Sequence, residues 1–139
     1  MREQNYRNHT RFDPAFHFVA MPLALILFVG SVVHLIVSFS WLAGWTVVLS
    51  IVLLLALVKI RQYANKVQDR VIRAEENFRH YLLTGAPLDA RLTTGQIIAL
   101  RFAADDEFPT LCKRALEENL GADQVKKSIR TWRADWFRV

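Results

Sequence analysis

Hydrophobic positions follow three different rhythms along this chain. Between Phe16 and Val58 there is no Asp, Glu, Lys or Arg, and the only ionisable side chains are His17 and His34. That stretch is long enough for two membrane passes, because one pass needs roughly 20 apolar residues rising about 1.5 Å each. Ser38, Ser40, Trp41 and Gly44 supply the turn between them. The pattern predicts a transmembrane hairpin over residues 16–58, with spans at about 16–39 and 42–58, preceded by an N-terminal segment, 1–15. Trp41 and Trp45 suit the polar interface where amphipathic rings collect. Pro22 is placed to kink the first span, since it lacks an N–H to donate. Ser40, Gly44, Thr46 and Ser50 offer small residues for close helix packing. A long span followed directly by a second one is not the pattern of a cleaved signal peptide.

From residue 59 to 83 the rhythm changes. The segment contains no Gly or Pro, so the second span is expected to continue as a helical stalk. Ile60, Ala64, Val67, Val71, Ala74, Phe78 and Tyr81 recur at alternating steps of four and three, the seam of a left-handed coiled coil. Arg70 and Glu75 flank it, placed to pair between chains. Either a second copy or the chain's own C-terminal region can cover this seam, and the sequence leaves both open.

Leu83-Thr84-Gly85-Ala86-Pro87 then ends the stalk, and residues 84–139 read as a bundle of about three short helices packing on it. Thr93 and Gln96 form a capping box for a helix running to about Ala103. A second helix is predicted to start near Phe108, with Pro109 in its first turn, Asp105, Asp106 and Glu107 before it, and Gly121 stopping it. A third begins near Asp123, with Val125, Ile129, Trp132 and Trp136 as its apolar face. The fold class is therefore all-α throughout.

Composition fits this layout, because 53% hydrophobic residues and a mean hydropathy of +0.15 exceed what a soluble domain with 22% charged residues usually shows. Arg2, Arg7 and Arg11 precede the first span, and Lys59, Arg61, Lys66, Arg70 and Arg73 follow the second, while the connecting turn carries no Lys or Arg. Both termini are thus expected in the cytoplasm. The net charge of +5 is explained by attraction of these flanks to anionic lipid headgroups, with Arg11 and Arg61 the expected contacts. Nucleic acid is not needed to explain it. The single cysteine, Cys112, has no partner within the chain for a disulfide or a thiolate metal site.

Several segments together resemble a known family: Gln4-Asn5-Tyr6 with Asn8-His9-Thr10-Arg11; Gln68-Asp69-Arg70-Val71-Ile72-Arg73 with Glu75-Glu76; Leu83-Thr84-Gly85; Arg91-Leu92-Thr93; Gln96 to Ala103; and Trp132-Arg133-Ala134-Asp135. The chain is similar over nearly its whole length to a family of uncharacterised bacterial two-span membrane proteins known as a domain of unknown function. The resemblance implies a bacterial inner-membrane location and carries over no functional residues.

The candidate chemistry is sparse. No Ser-His-Asp set, phosphate loop or zinc spacing occurs, so no catalytic, cofactor or metal residue is assigned and the chain is read as a non-enzyme. Ser31, His34 and Ser38 share one face of the first span, and an ionisable group there points to a polar relay, a pore in an oligomer, or a hydrogen bond across helices. His17 and His34 also admit a haem or redox reading, but about 25 Å of helical rise separates them, so one haem would need two chains or another subunit. The leading expectation is a membrane scaffold or interaction protein, self-assembling or a small subunit of a larger membrane complex, with an oligomeric channel as the alternative.

Overall fold

The computed structural model describes residues 4–8 and 13–135. It consists of two compact units: Phe12–Asn65, and Met1–Arg11 together with Lys66–Val139. Among the described residues the chain is all-helical, with five α-helices and no strand. These are α1 (Met21–Val37), α2 (Trp41–Thr84), α3 (Thr94–Leu100), α4 (Phe108–Glu117) and α5 (Ala122–Ser128).

In the first unit a wide π-helical turn, Ala15–Ala20, leads into α1. Asp13 opens it by accepting from the N–H groups of Ala15 and Phe16, at 3.0 and 3.2 Å. The wide turn closes with the Met21 N–H bonded to the Phe16 carbonyl, five residues back. Pro22, which has no N–H, follows at the start of α1. A change from π to α register thus immediately precedes Pro22, the residue at which a kink was expected. The connection to α2 is short: Ser38 ends α1 at φ −131° and ψ 75°, its N–H bonded to the His34 carbonyl, and the Ser40 hydroxyl accepts from the Ala43 N–H at 3.1 Å. Trp41 and Trp45 meet edge to face at 5.8 Å. The buried small residues here are Ala24, Ala43 and Ser50. Gly44, expected at a close approach, faces open space, and Thr46 is exposed.

Helix α2 runs unbroken for 44 residues, so the apolar stretch and the charged one form a single helix. It stops at Thr84 because Gly85 adopts a left-handed φ of 76°, where its N–H closes on the Tyr81 carbonyl at 2.8 Å.

In the second unit, α3, α4 and α5 surround a core of Leu92, Ile97, Leu100, Phe102, Phe108, Leu111, Ala115, Val125 and Ile129, with Trp132 packed against it. The capping box at Thr93 is present in both directions. Gln96 does more than cap: its side-chain amide also donates to the carbonyls of Ala115 and Leu120, at 3.3 and 2.9 Å, tying α3 to the end of α4.

Three boundaries differ from expectation. Helix α3 ends at Leu100, and Ala103 instead pairs with Trp132 in an isolated antiparallel bridge. The Arg133 N–H donates to the Phe102 carbonyl at 2.7 Å. Helix α4 is stopped by Asn119, at φ 48°, and not by Gly121. Bonds from the Asn119 N–H to Leu116 and from the Leu120 N–H to Ala115 complete a Schellman motif. Gly121 instead begins α5. Helix α5 ends at Ser128, so Ile129 and Trp132 reach the core from extended chain. Trp136 lies outside the described residues.

Candidate functional site

The polar face of α1 separates into one buried contact and two exposed groups. The Ser31 and Ser50 hydroxyls lie 3.2 Å apart, and each is also in reach of the carbonyl three residues back, Phe28 at 2.7 Å and Val47 at 2.8 Å. A hydroxyl has one proton, so at most two of these three bonds are donated at once. His34 and Ser38 are both exposed on the helix surface. The His34 ring has no hydrogen-bond partner among the described residues, and Ser31 alone of the three meets α2. His17 sits in the π turn with its Nδ1 at 2.9 Å from the Asp13 carbonyl, edge to face with Phe16.

Arg61 is engaged by its own unit. Its guanidinium lies 5.5 Å from the centre of the Phe16 ring and 3.8 Å from the Asp13 carboxylate. Arg11, its expected companion at a headgroup, lies outside the described residues.

The apolar stripe of α2 that was expected to form a coiled-coil seam is open among the described residues. Ile60, Val67, Val71, Phe78 and Tyr81 are each at least half exposed, Ala74 is exposed, and only Ala64 is partly buried. The C-terminal helices dock on another face of the same helix, where Ile72 and Glu76 are buried. Arg79 organises this docking, donating to Glu76 at 2.9 Å, to Asp105 at 2.6 Å and to the Ala103 carbonyl at 2.7 Å. Its guanidinium also lies 4.3 Å from the centre of the Phe108 ring. His80 meets Phe108 edge to face at 6.0 Å, and Asn77 accepts from the Leu88 N–H at 2.9 Å. Among the described residues, the chain's own helices therefore leave these seam positions exposed.

Between the seam and the docked helices runs a groove of about 610 Å³, with Gln68, Val71, Glu75, Phe78 and Leu82 on one wall and Arg101, Arg133 and Asp135 on the other. The Arg101 side chain is buried, 3.0 Å from Asp135, with its guanidinium 4.6 Å from the centre of the Phe102 ring. Glu76, Arg79, Arg101 and Asp135 could not be read as a set beforehand, because charges brought together from α2, the turn after α3 and the C-terminal end share no spacing. A weak signal was available in Arg101, an Arg within an apolar run.

The N-terminal segment belongs to the same unit. Gln4 is buried and accepts from the Asp135 N–H at 2.8 Å, and the Tyr6 hydroxyl donates to Asp123 at 2.6 Å. Lys127 bonds Asp123 at 2.7 Å and lies over the Tyr6 ring. These bonds hold the Tyr6 hydroxyl above its ordinary pKa, chiefly through Asp123, and hold Asp123 below its own, chiefly through Lys127. Gln4 and Tyr6 thus tie the described part of the segment to the C-terminal end and to α5.

The remaining candidates have structural roles. Asp105 pairs with Arg79, and Glu107 accepts from the N–H groups of Arg130 and Thr131, at 3.2 and 3.0 Å. Cys112 is buried beside Glu76, and burial followed by that carboxylate pushes its thiol up to about 12.

These observations define an all-helical protein with two helices long and apolar enough to cross a membrane, the first spanning Ala15–Val37 and the second lying within α2. The chain belongs to a family of unknown function (DUF6526), whose model matches residues 1–139. No curated protein and no solved structure matches it.

Proposed function

We propose that this chain is a non-enzymatic membrane scaffold that crosses the bacterial inner membrane twice and presents a small helical module on the cytoplasmic side. In this reading α1 and the first part of α2 form the transmembrane hairpin, and the rest of α2 is the stalk. Its role is to assemble, with copies of itself or as a subunit of a larger membrane complex. One observation carries the reading. An uncharged helical pair, apolar over its length, exposes Leu25, Ile26, Leu49 and Leu55 over more than half of their surfaces, which water would not tolerate and lipid would. The basic residues at both of its ends and none in its turn support cytoplasmic termini.

His34 adds a reason for assembly. An imidazole on a span surface is costly in hydrocarbon without a polar partner, and none of the described residues supplies one. A neighbouring chain would. The same feature favours the second reading, an oligomeric channel or transport component whose polar face is Ser31, His34 and Ser38.

The test is the mass of the protein extracted gently from its native membrane. A homo-oligomer or a complex with other membrane subunits supports the scaffold. A bare monomer overturns it, and proton or ion flux in liposomes that His34→Ala abolishes would replace it with the channel.

A further inference from the structure

We infer that the stalk of α2 pairs in parallel with the stalk of a second copy, in the register that sets Arg70 of each chain against Glu75 of the other. The inference rests on the two-span reading, which places two copies side by side in one membrane with their stalks pointing the same way.

At 100° per residue, Val67, Val71, Ala74, Phe78 and Tyr81 lie along one side of the helix. The docked face, at Ile72, Glu76, Arg79 and His80, is centred about 150° further round on the same count. Among the described residues the chain thus fastens its own helices to the back of the stalk and leaves the seam uncovered: Val67, Phe78 and Tyr81 are 61%, 62% and 54% exposed. A stripe of this length and spacing matches an identical stripe, since steps of four and three keep two such helices in contact over successive turns.

Charge then selects the partner and the register. Arg70 and Glu75 stand on opposite flanks of the seam, about 70° to either side of its centre. Both are exposed, and neither has an ionic partner among the described residues. In a parallel pair, the flanking position before one seam residue faces the flanking position five residues on in the other chain. Arg70 therefore meets Glu75 of the second copy, and two-fold symmetry makes the pair twice. An antiparallel or shifted pairing loses both contacts.

The experiment uses the full-length protein in its own membranes. Native Cys112 is buried and serves as the silent background. Ala74→Cys places a thiol in the seam, and Arg73→Cys places one on a neighbouring residue turned away from it. Mild oxidation is expected to cross-link Ala74→Cys to a dimer at least tenfold faster than Arg73→Cys. In the Ala74→Cys background, Arg70→Glu should lower the yield severalfold, as should Glu75→Arg, and the two together should restore it. Equal cross-linking at both cysteines, no cross-linking at Ala74→Cys, or no recovery in the double charge swap would overturn the inference. Alkaline carbonate extraction of the same membranes separates the two claims. Protein that resists extraction but fails to cross-link refutes the pairing alone. Protein that cross-links but washes free keeps the pairing and refutes the two-span reading.

Discussion

Removing Arg79 should loosen the C-terminal helices from α2. The side chains of Glu76 and Arg79 are only 8% and 10% exposed, so the pair is shielded from solvent. Arg79→Met keeps the apolar stem over Phe108 and deletes the charge, leaving the Glu76 carboxylate buried. Breaking one side of a buried pair costs roughly 3–5 kcal/mol. Arg133, 3.9 Å from the other Glu76 oxygen, offsets part of that, so the lower end, about 3 kcal/mol, is expected. Cys112 reports the change, because it is buried and its thiol, pushed up to about 12, stays protonated at neutral pH. Labelling then tracks opening of the core, and about 3 kcal/mol corresponds to labelling on the order of 100-fold faster. Adding Glu76→Gln removes the stranded charge and should recover at least tenfold of that rate. A labelling rate for Arg79→Met within about threefold of wild type, or a double variant that labels faster than the single one, would refute the argument that this buried charge cluster holds the docking face together.

The link between Tyr6 and Asp123 makes an independent prediction. The Tyr6 hydroxyl is raised and Asp123 is lowered, so this contact contributes fully between their unfolded pKa values and is lost as pH falls through the lowered Asp123 value or rises through the raised Tyr6 value. Ultraviolet titration of tyrosinate should show one tyrosine ionising late, lost in Tyr6→Phe and returned toward the normal range by Asp123→Asn; an unchanged titration in Asp123→Asn would contradict the contact. At the end of α4, Asn119→Val forces a β-branched residue into the left-handed conformation and should cost about 1–2 kcal/mol, whereas Asn119→Gly should be neutral or stabilising. Thermal melting of both variants checks this, and equal melting temperatures would refute it.

The long-range rhythm of the sequence was legible because it arises from periods that need no tertiary information. The uncharged run from Phe16 to Val58 marks the two apolar helices, and the absence of Gly and Pro after it marks the continuation of α2. Thr93 and Gln96 marked the start of α3 because a capping box is a local bond pattern. The ends of the short helices were less legible. Asn119 competes with Gly121 for the left-handed position, and only the bonds to Leu116 and Ala115 decide between them. The apolar spacing of Val125, Ile129 and Trp132 correctly signals burial, but extended chain paired with Ala103 satisfies it as well as a helix does. The seam was visible as a stripe, whereas its exposure depended on which face the C-terminal helices chose. That choice rests on the cluster around Arg79 and on Asn77, residues with no periodic signature.

The proposed topology has the chain crossing a membrane twice, with both ends on one side. Two variants that keep the buried Cys112 as a silent background test this: Ser40→Cys in the turn and Ala86→Cys beyond α2, treated in intact cells with a thiol reagent that cannot cross the inner membrane. The account predicts that Ser40→Cys is labelled from outside and that Ala86→Cys is labelled only after the membrane is opened. Labelling of Ala86→Cys in intact cells, or protection of both positions until lysis, would contradict it.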